Sequence, residues 1–534
     1  MTSTRTSKLL SLAVSCIALG TLALPRQADA EASPSVIHEL KHDVSPPLRN
    51  MVSSTQFNAG AQRQAPLAQP TGPELTSSQP DPVAQQPAAP LTGVSTILNF
   101  DGQNANDNLS LLGFTFVPPD TNGAVGATQF VQTVNVTYAV YNKSTGAVEL
   151  GPALINTIWA GFGGLCETEN GGDPVVLYDH LAGRWLISQL AFSSGFTENF
   201  QCIAISTTSD ATGTYNRYAF PFGSILNDYP KFAVWPDAFY YSANMFAVFH
   251  GGFKFIGARA CAFDRAAMLV GSPATSICFQ NPPAVASLLP SDLDGSTLPP
   301  AGQPNFFADI SDTTHLNIFQ FHVDFSNAAN STFTGTQIPV AAFSEICARA
   351  ISRACIPEPT PGERVDGIAD RLMFRLAYRN FGDHESLVAN HTVKGGALAG
   401  VRWYEIRSPG SSPFVFQEGT VVDPNINFWM GSIAMDKAGD IALGFSASSK
   451  GLFPSVFLAG RVAGNPLGTI DGPLALQTGS GVQERSFHRW GDYSSMAIDS
   501  GDDCTFWYTQ EYYKTTGPFN WNTRVTSFKF ASCS

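Results

Sequence analysis

An all-β fold, closed into a β-propeller, is what this sequence predicts, and three observations carry the prediction. Short apolar stretches rich in β-branched and aromatic residues recur between turns that hold Gly and Asp. Long helical periodicities are scarce. One outline returns at 173–188, 428–443 and 489–508: a polar or aromatic lead-in, an apolar strand, an Asp, a Gly-containing turn and a second apolar strand. Units of this kind begin near Asp120, Asp173, Asp228, Phe307, Arg371, Trp429 and Asp492. Their spacing of roughly 50 to 80 residues suits a four-stranded blade with loops. Seven blades are expected, with six or eight left open because the unit near Phe307 is the least regular. A two-sheet sandwich needs fewer and longer strands, and a β-helix needs a shorter period. Blades buried on both faces also explain strands that are apolar without clean alternation.

The chain begins with the layout of a secretory signal peptide over residues 1–30. Arg5 and Lys8 precede an apolar run from Leu9 to Leu24, and Ala28-Asp29-Ala30 offers a small-x-small cleavage site. The run is too short and too early for a membrane anchor, and no later stretch is apolar enough for a membrane span. Ala13 stands where a lipoprotein signal ahead of Cys16 needs a bulky residue. Residues 31–92 are rich in Gln, Pro, Ala and Ser, and read as a disordered leader. The propeller domain is residues 93–534. Ile97–Phe100 is its first strand, expected to pair with the last blade and close the ring. Further strands are expected at 130–134, 175–178, 185–188, 202–206, 232–235, 316–323, 373–378, 401–406, 441–445 and 525–530. Short helices are expected at 152–160, 265–269 and 341–352.

Bulk properties bound the function. A hydrophobic share of 44% supports a sizeable core, and a net charge of -13 without any Lys/Arg cluster excludes nucleic acid as a partner. Setting Cys16 aside leaves an even set: Cys166, Cys202, Cys261, Cys278, Cys347, Cys355, Cys504 and Cys533. After export such a set favours disulfides. Neighbour pairing is the simplest connectivity. There is no CxxC, HExxH, GxSxG or GxxxxGK[ST], which leaves zinc ribbons, zincins, α/β-hydrolases and P-loop enzymes unsupported.

Candidate chemistry gathers at the lead-ins. Asp120, Asp173, Asp228, Arg371 and Asp492, with Arg489 and Arg375 close by, would point toward the mouth of an axial channel. Carboxylates with Arg between them suit Ca²⁺ ligation, bidentate sugar binding or an acid/base pair. The bland alternative is that each Asp caps a strand or turn. Trp185, Trp235, Tyr240, Trp403, Trp429, Trp490 and Trp507 could stack on sugars, but aromatics at repeated positions more often fill the core. Asp292-Leu293-Asp294-Gly295-Ser296 looks like part of a calcium loop and lacks the distal Glu. His384, His391 and His488 are weaker candidates. No cofactor beyond Ca²⁺ suggests itself.

The three hairpins resemble the Asp-box turns of sialidase-type propellers. Asp436 and Gly439, and Asp499, Thr505 and Trp507, approximate that box. The box is structural, so the resemblance implies architecture; the sialidase catalytic set cannot be placed here. Pro118–Gly126, Gly172–Asp179, Asp370–Asp383 and Arg489–Ser494 are similar to a group of secreted bacterial propeller-like proteins over roughly 95–534. That resemblance implies an exported protein, extracellular or periplasmic. The reading that follows is a monomeric, disulfide-bonded binding module for extracellular glycan or protein. A carbohydrate-active hydrolase or lyase using channel-mouth carboxylates is the second reading, and a structural cell-surface protein the third.

Overall fold

The computed structural model describes residues 27–28, 33–51, 74–86, 89–249, 252–348, 353–484 and 488–534. The protein is all-β and built of antiparallel sheets. Four-stranded meanders follow one another along the chain at 122–154, 175–223, 225–280, 289–339, 373–421 and 427–477. A final sheet joins Ser495–Ile498, Phe506–Tyr513 and Trp521–Phe530 to an early strand, Val94–Asn104, which lies antiparallel to Trp521–Phe530. The expected pairing of the segment around Ile97 with the last sheet is therefore present. The fourth unit starts at Leu289, not near Phe307, which sits in its second strand, Asn305–Asp312.

The opening strand of each meander packs on the opening strand of the next. Asn122–Val125 touches Val175–Asp179, which touches Ile225–Val234, and so on to Ser495–Ile498, which packs back on Asn122–Val125. Leu289–Asp294 and Met373–Asn380 go further and pair in parallel, with Asp292 opposite Ala377. The apolar side chains sit between neighbouring sheets. Val131, Tyr138, Ile187 and Ala204 fill one seam, and Phe130, Tyr141, Trp507 and Val525 fill the seam between the last sheet and the first. Trp185, Trp235, Tyr240, Trp403, Trp429, Trp490 and Trp507 are all buried in these seams, so none is a free sugar platform.

The segment read as a disordered leader is ordered wherever it is described. Ser35–His38 lies along Thr275–Gln280, Lys41–Val44 along Tyr215–Gly223, and Ala84–Gln85 along Phe414–Val421. Gly472 N donates to the carbonyl of Ala89 at 2.9 Å. The segment thus girdles the outer edges of successive sheets. Its low apolar content is no obstacle, because an added edge strand gains backbone hydrogen bonds whatever its side chains. Arg217 is buried and locks the girdle by a two-pronged pair with Asp43, Nε to Oδ1 at 2.7 Å and Nη2 to Oδ2 at 2.6 Å. The signal-peptide reading of residues 1–30 lies outside the described residues except for Gln27 and Ala28, which lie beside Thr336 and Gly335.

The cysteines pair as neighbours: Cys166–Cys202, Cys261–Cys278, Cys347–Cys355 and Cys504–Cys533. Such a set belongs to an oxidising compartment. Among the described residues no helix is long and apolar enough to cross a membrane. Of the helices expected, Arg265–Leu269 is present behind its Asp264 cap, and 152–160 holds a 3₁₀ turn, Ile155–Trp159. The described part of 341–352 is not helical.

Candidate functional site

Asp120, Asp173 and Asp492 stand just ahead of opening strands and adopt left-handed backbone, with φ of 48°, 48° and 42°. Ser287, ahead of Leu289–Asp294, does likewise at 51°, as do Tyr229 and Met430 within their own opening strands, at 57° and 54°. Asp is one of the few non-glycine residues that accepts this conformation readily. That local demand explains the recurrence of Asp at the lead-ins.

The structure brings Asp120, Asp173, Asp228, Arg371, Arg489 and Asp492 to one end of the ring, but not to an open mouth, and it places Arg375 at the other end instead. Asp120, Asp173, Arg371 and Arg489 are buried, while Asp228 and Asp492 keep partial contact with solvent. The closure comes from the described residues of an insertion between the fourth and fifth meanders, 340–348 and 353–372. It carries the Cys347–Cys355 disulfide and a hairpin, Ala354–Pro357 with Arg364–Asp366. Its Ile356, Val365 and Ile368 pack with Trp429, Met430, Trp490 and Tyr513.

The insertion also completes the charges. Arg489 binds Asp492 at 2.6 Å and Asp366 at 3.3 Å. Asp370 is shared by Arg371 at 2.9 Å and Arg353 at 2.7 Å. Burial works against the Asp370 carboxylate, but Arg371 and Arg353 outweigh it and hold its pKa down to about 2. Asp120, Asp173 and Asp228 are pushed up, first by burial; the nearby Asp492 adds to each. Asp173 Oδ2 accepts from Tyr229 N at 2.9 Å. Lys231 is fully buried between the rings of Tyr229 and Tyr493, with Nζ 3.5 and 4.0 Å from their centroids. Burial draws its amine down to about 8 against the pull of Asp173, Asp120 and Asp492. Lys231 was not singled out from sequence; its only signal is its place three residues after Asp228.

The other end of the axis holds a small recess, about 40 Å³ in volume. Opening strands from several sheets line it, through Val125, Leu177, Tyr178, Asp292, Asp294, Arg375 and Ser495. Its floor is a buried ionic triad. Arg375 Nη1 bridges Asp292 Oδ2 at 3.1 Å and Asp294 Oδ1 at 2.8 Å, Nη2 reaches Asp294 Oδ2, and Nε donates to Met496 O at 3.2 Å. Val234 N donates to Asp292 Oδ1 at 2.8 Å. Burial, only partly offset by Arg375, raises Asp292 to about 7. The 292–296 stretch is thus an opening strand and its turn, not a calcium loop. Among the described residues no group of His, Cys, Asp or Glu side chains is arranged to hold a metal ion.

The histidines have local duties. His391 is buried, 2.9 Å from Tyr404 Oη, His384 sits beside Asp383, and His488 Nδ1 lies 2.7 Å from Arg364 O. The Asp-box positions are turn caps: Asp436 accepts from Ala438 N at 2.9 Å and Asp440 N at 3.0 Å, and Asp499 from Gly501 N at 2.8 Å.

No family model matches the chain, and no curated protein matches it. Among solved structures, an α-L-arabinofuranosidase from Fusarium graminearum shares 10% identity, covering 82% of this chain and 98% of its own, with a TM-score of 0.34. An endo-arabinase from Bacteroides thetaiotaomicron shares 9% over 66% of this chain and 92% of its own, with a TM-score of 0.27. A sialidase from Trypanosoma rangeli shares 10% over 67% of this chain and 54% of its own, also with a TM-score of 0.27. At such identity and superposition these likenesses say nothing of activity.

Proposed function

We propose that this is an exported seven-bladed β-propeller that binds glycan in its axial recess and does not cleave it. The circuit of opening strands, returning from Ser495–Ile498 to Asn122–Val125, supports the blade count. The observation that carries the function is the contrast between the two ends of the axis. At the lead-in end, Asp370 and Asp492 are closed by arginines and Asp120 and Asp173 are buried under an insertion. At the other end the recess combines ionic groups, hydroxyls and the Tyr178 ring around open space, the mixture that suits a polar small-molecule or sugar site. Asp292 and Asp294 share the same guanidinium nitrogen, so they do not flank a substrate bond from opposite sides as a hydrolytic pair does.

The test is a panel of polysaccharides and oligosaccharides, measured for binding and for released reducing ends. The variants are Asp292→Asn and the double change Asp173→Asn/Asp492→Asn. Binding without release, lost in the first variant and kept in the second, is expected. Sugar release that disappears with either variant would overturn the binding reading in favour of a hydrolase.

A further inference from the structure

Independently of the recess, we infer that the insertion between the fourth and fifth meanders is a pH-operated plug, seated in acid and released in mild alkali to open the lead-in end of the axis. Its construction lets it move by itself. Ala354–Pro357 and Arg364–Asp366 pair with each other and, among the described residues, with no strand of any meander. A short set of polar contacts joins this hairpin to the ring, beside the apolar seam against Trp429 and Trp490. Asp366 N donates to His488 O at 2.8 Å, and Trp490 N to Asp366 Oδ1 at 3.0 Å. Ser448 Oγ donates to Pro357 O at 2.8 Å, Gln483 N to Glu358 Oε1 at 2.9 Å, and His488 Nδ1 lies 2.7 Å from Arg364 O. No blade ladder has to break for the plug to leave, and its release uncovers the end where Asp120 and Asp173 lie buried.

The seat is acidic on both sides. Glu358 and Asp366 belong to the hairpin, and Glu511 to Phe506–Tyr513 of the last sheet; all three are buried. Both oxygens of Glu511 and Oε2 of Glu358 meet no donor in hydrogen-bonding geometry among the described residues. A carboxyl group so placed keeps its proton, because ionisation would leave a charge taken out of water with no donor to cover it. The surrounding charges do not reverse this. Arg489 and Arg353 ease Asp366 and the Gly491 amide eases Glu511, but Asp492 opposes both. Asp366 and Glu358 also oppose Glu511, and Glu363 opposes Glu358. Tyr513 faces the same acids and is itself pushed up, by burial and then by Glu511 and Glu358. Asp370, between Arg371 and Arg353, stays ionised and takes no part. Burial thus lifts Asp366 to about 7 and Glu358 to about 8 while the plug is seated. Once unseated, each meets water and ionises near pH 4. Seating therefore retains protons: it is strongest below about pH 4 and weakens until the pH has passed 7 to 8.

Amide hydrogen exchange of the full chain, read by mass spectrometry and corrected for intrinsic rates, tests this at pH 5 and pH 8. Peptides covering 354–366 should lose protection between the two, and at pH 8 should exchange well ahead of Leu398–Arg407 in the fifth meander. Glu358→Gln/Glu511→Gln cannot ionise and still offers an acceptor to Gln483 N. Its hairpin should match that of the natural chain at pH 5 and be about a hundredfold better protected at pH 8. Glu358→Gln alone should shift the same way by less, which keeps the test open if the double variant does not fold. A hairpin equally protected at both pH values, or one that exchanges only in step with Leu398–Arg407, would overturn the plug. So would variants whose hairpins lose as much protection at pH 8 as that of the natural chain.

Discussion

Lys231 is the residue whose situation is hardest to sustain. It is fully buried, its Nζ lies against two tyrosine rings and the carbonyl of Pro230, and among the described residues no carboxylate comes within ion-pair distance of it. Its amine, drawn down to about 8, is charged at neutral pH only because Asp173, Asp120 and Asp492 stand a little further off. Lys231→Met should therefore cost about 3 kcal/mol at pH 7, where Asp173 and Asp120 would lose their counter-charge, and less at pH 5, nearer to where these burial-raised carboxyls take up protons. Urea unfolding at the two pH values measures this; equal losses at both would show that Lys231 acts through packing alone. This residue also marks a limit of sequence reading. The lead-in aspartates were visible because left-handed backbone restricts residue choice. A buried lysine leaves no such trace, since only the folded ring shows that it faces inward. The same holds for Asp292 and Asp294: two acids in six residues look like a loop until the parallel pairing with Met373–Asn380 brings Arg375 beside them.

At the scale of elements, the girdle and the insertion decide what the meanders expose. Regular antiparallel units were legible because each repeats strand, Asp, turn and strand. The girdle was not, because its sequence resembles an unfolded linker and its order comes from the edges it borrows. The unit placed near Phe307 was misjudged for a related reason. Its opening strand, Leu-Pro-Ser-Asp-Leu-Asp, has too few apolar residues to stand out, and the apolar second strand was taken instead. Asp43→Ala tests whether the girdle is integral. It leaves Arg217 buried with only the carbonyls of Ile158 and Ala160 as partners, and should cost about 2 kcal/mol. The free edge of Tyr215–Gly223 should then show faster amide exchange than the rest of its sheet. Unchanged stability and exchange would mean the girdle merely rests on the sheets.

For the whole molecule, buried carboxyl groups set the response to pH. Burial holds Asp292, Asp309, Glu345, Asp366 and Asp436 near 7 and Glu358 near 8. In the unfolded chain these groups lose their protons near pH 4. Above that pH the folded state keeps protons that the unfolded state has released, so stability is greatest in mild acid and declines as pH rises through 7 to 8. Denaturation midpoints should be higher at pH 5 than at pH 8.5; a midpoint that climbs between those values would contradict the burial of these acids. The closed circuit was foreseeable from the repeat, whereas the plugged end was not, because it depends on where one insertion folds back.

The final sheet is completed by a strand from the other end of the chain: Arg524 Nη2 donates to the carbonyl of Asn99, 425 positions earlier, at 2.8 Å. A ribosome delivers Val94–Asn104 long before its partner exists. That early strand must wait, unpaired, until the last stretch emerges, so the ring cannot shut during synthesis and a chain stopped short of Trp521 leaves it open. A protein that has to cross a membrane as a thread gains from this delay, since maturation is postponed until both ends have arrived in the same place.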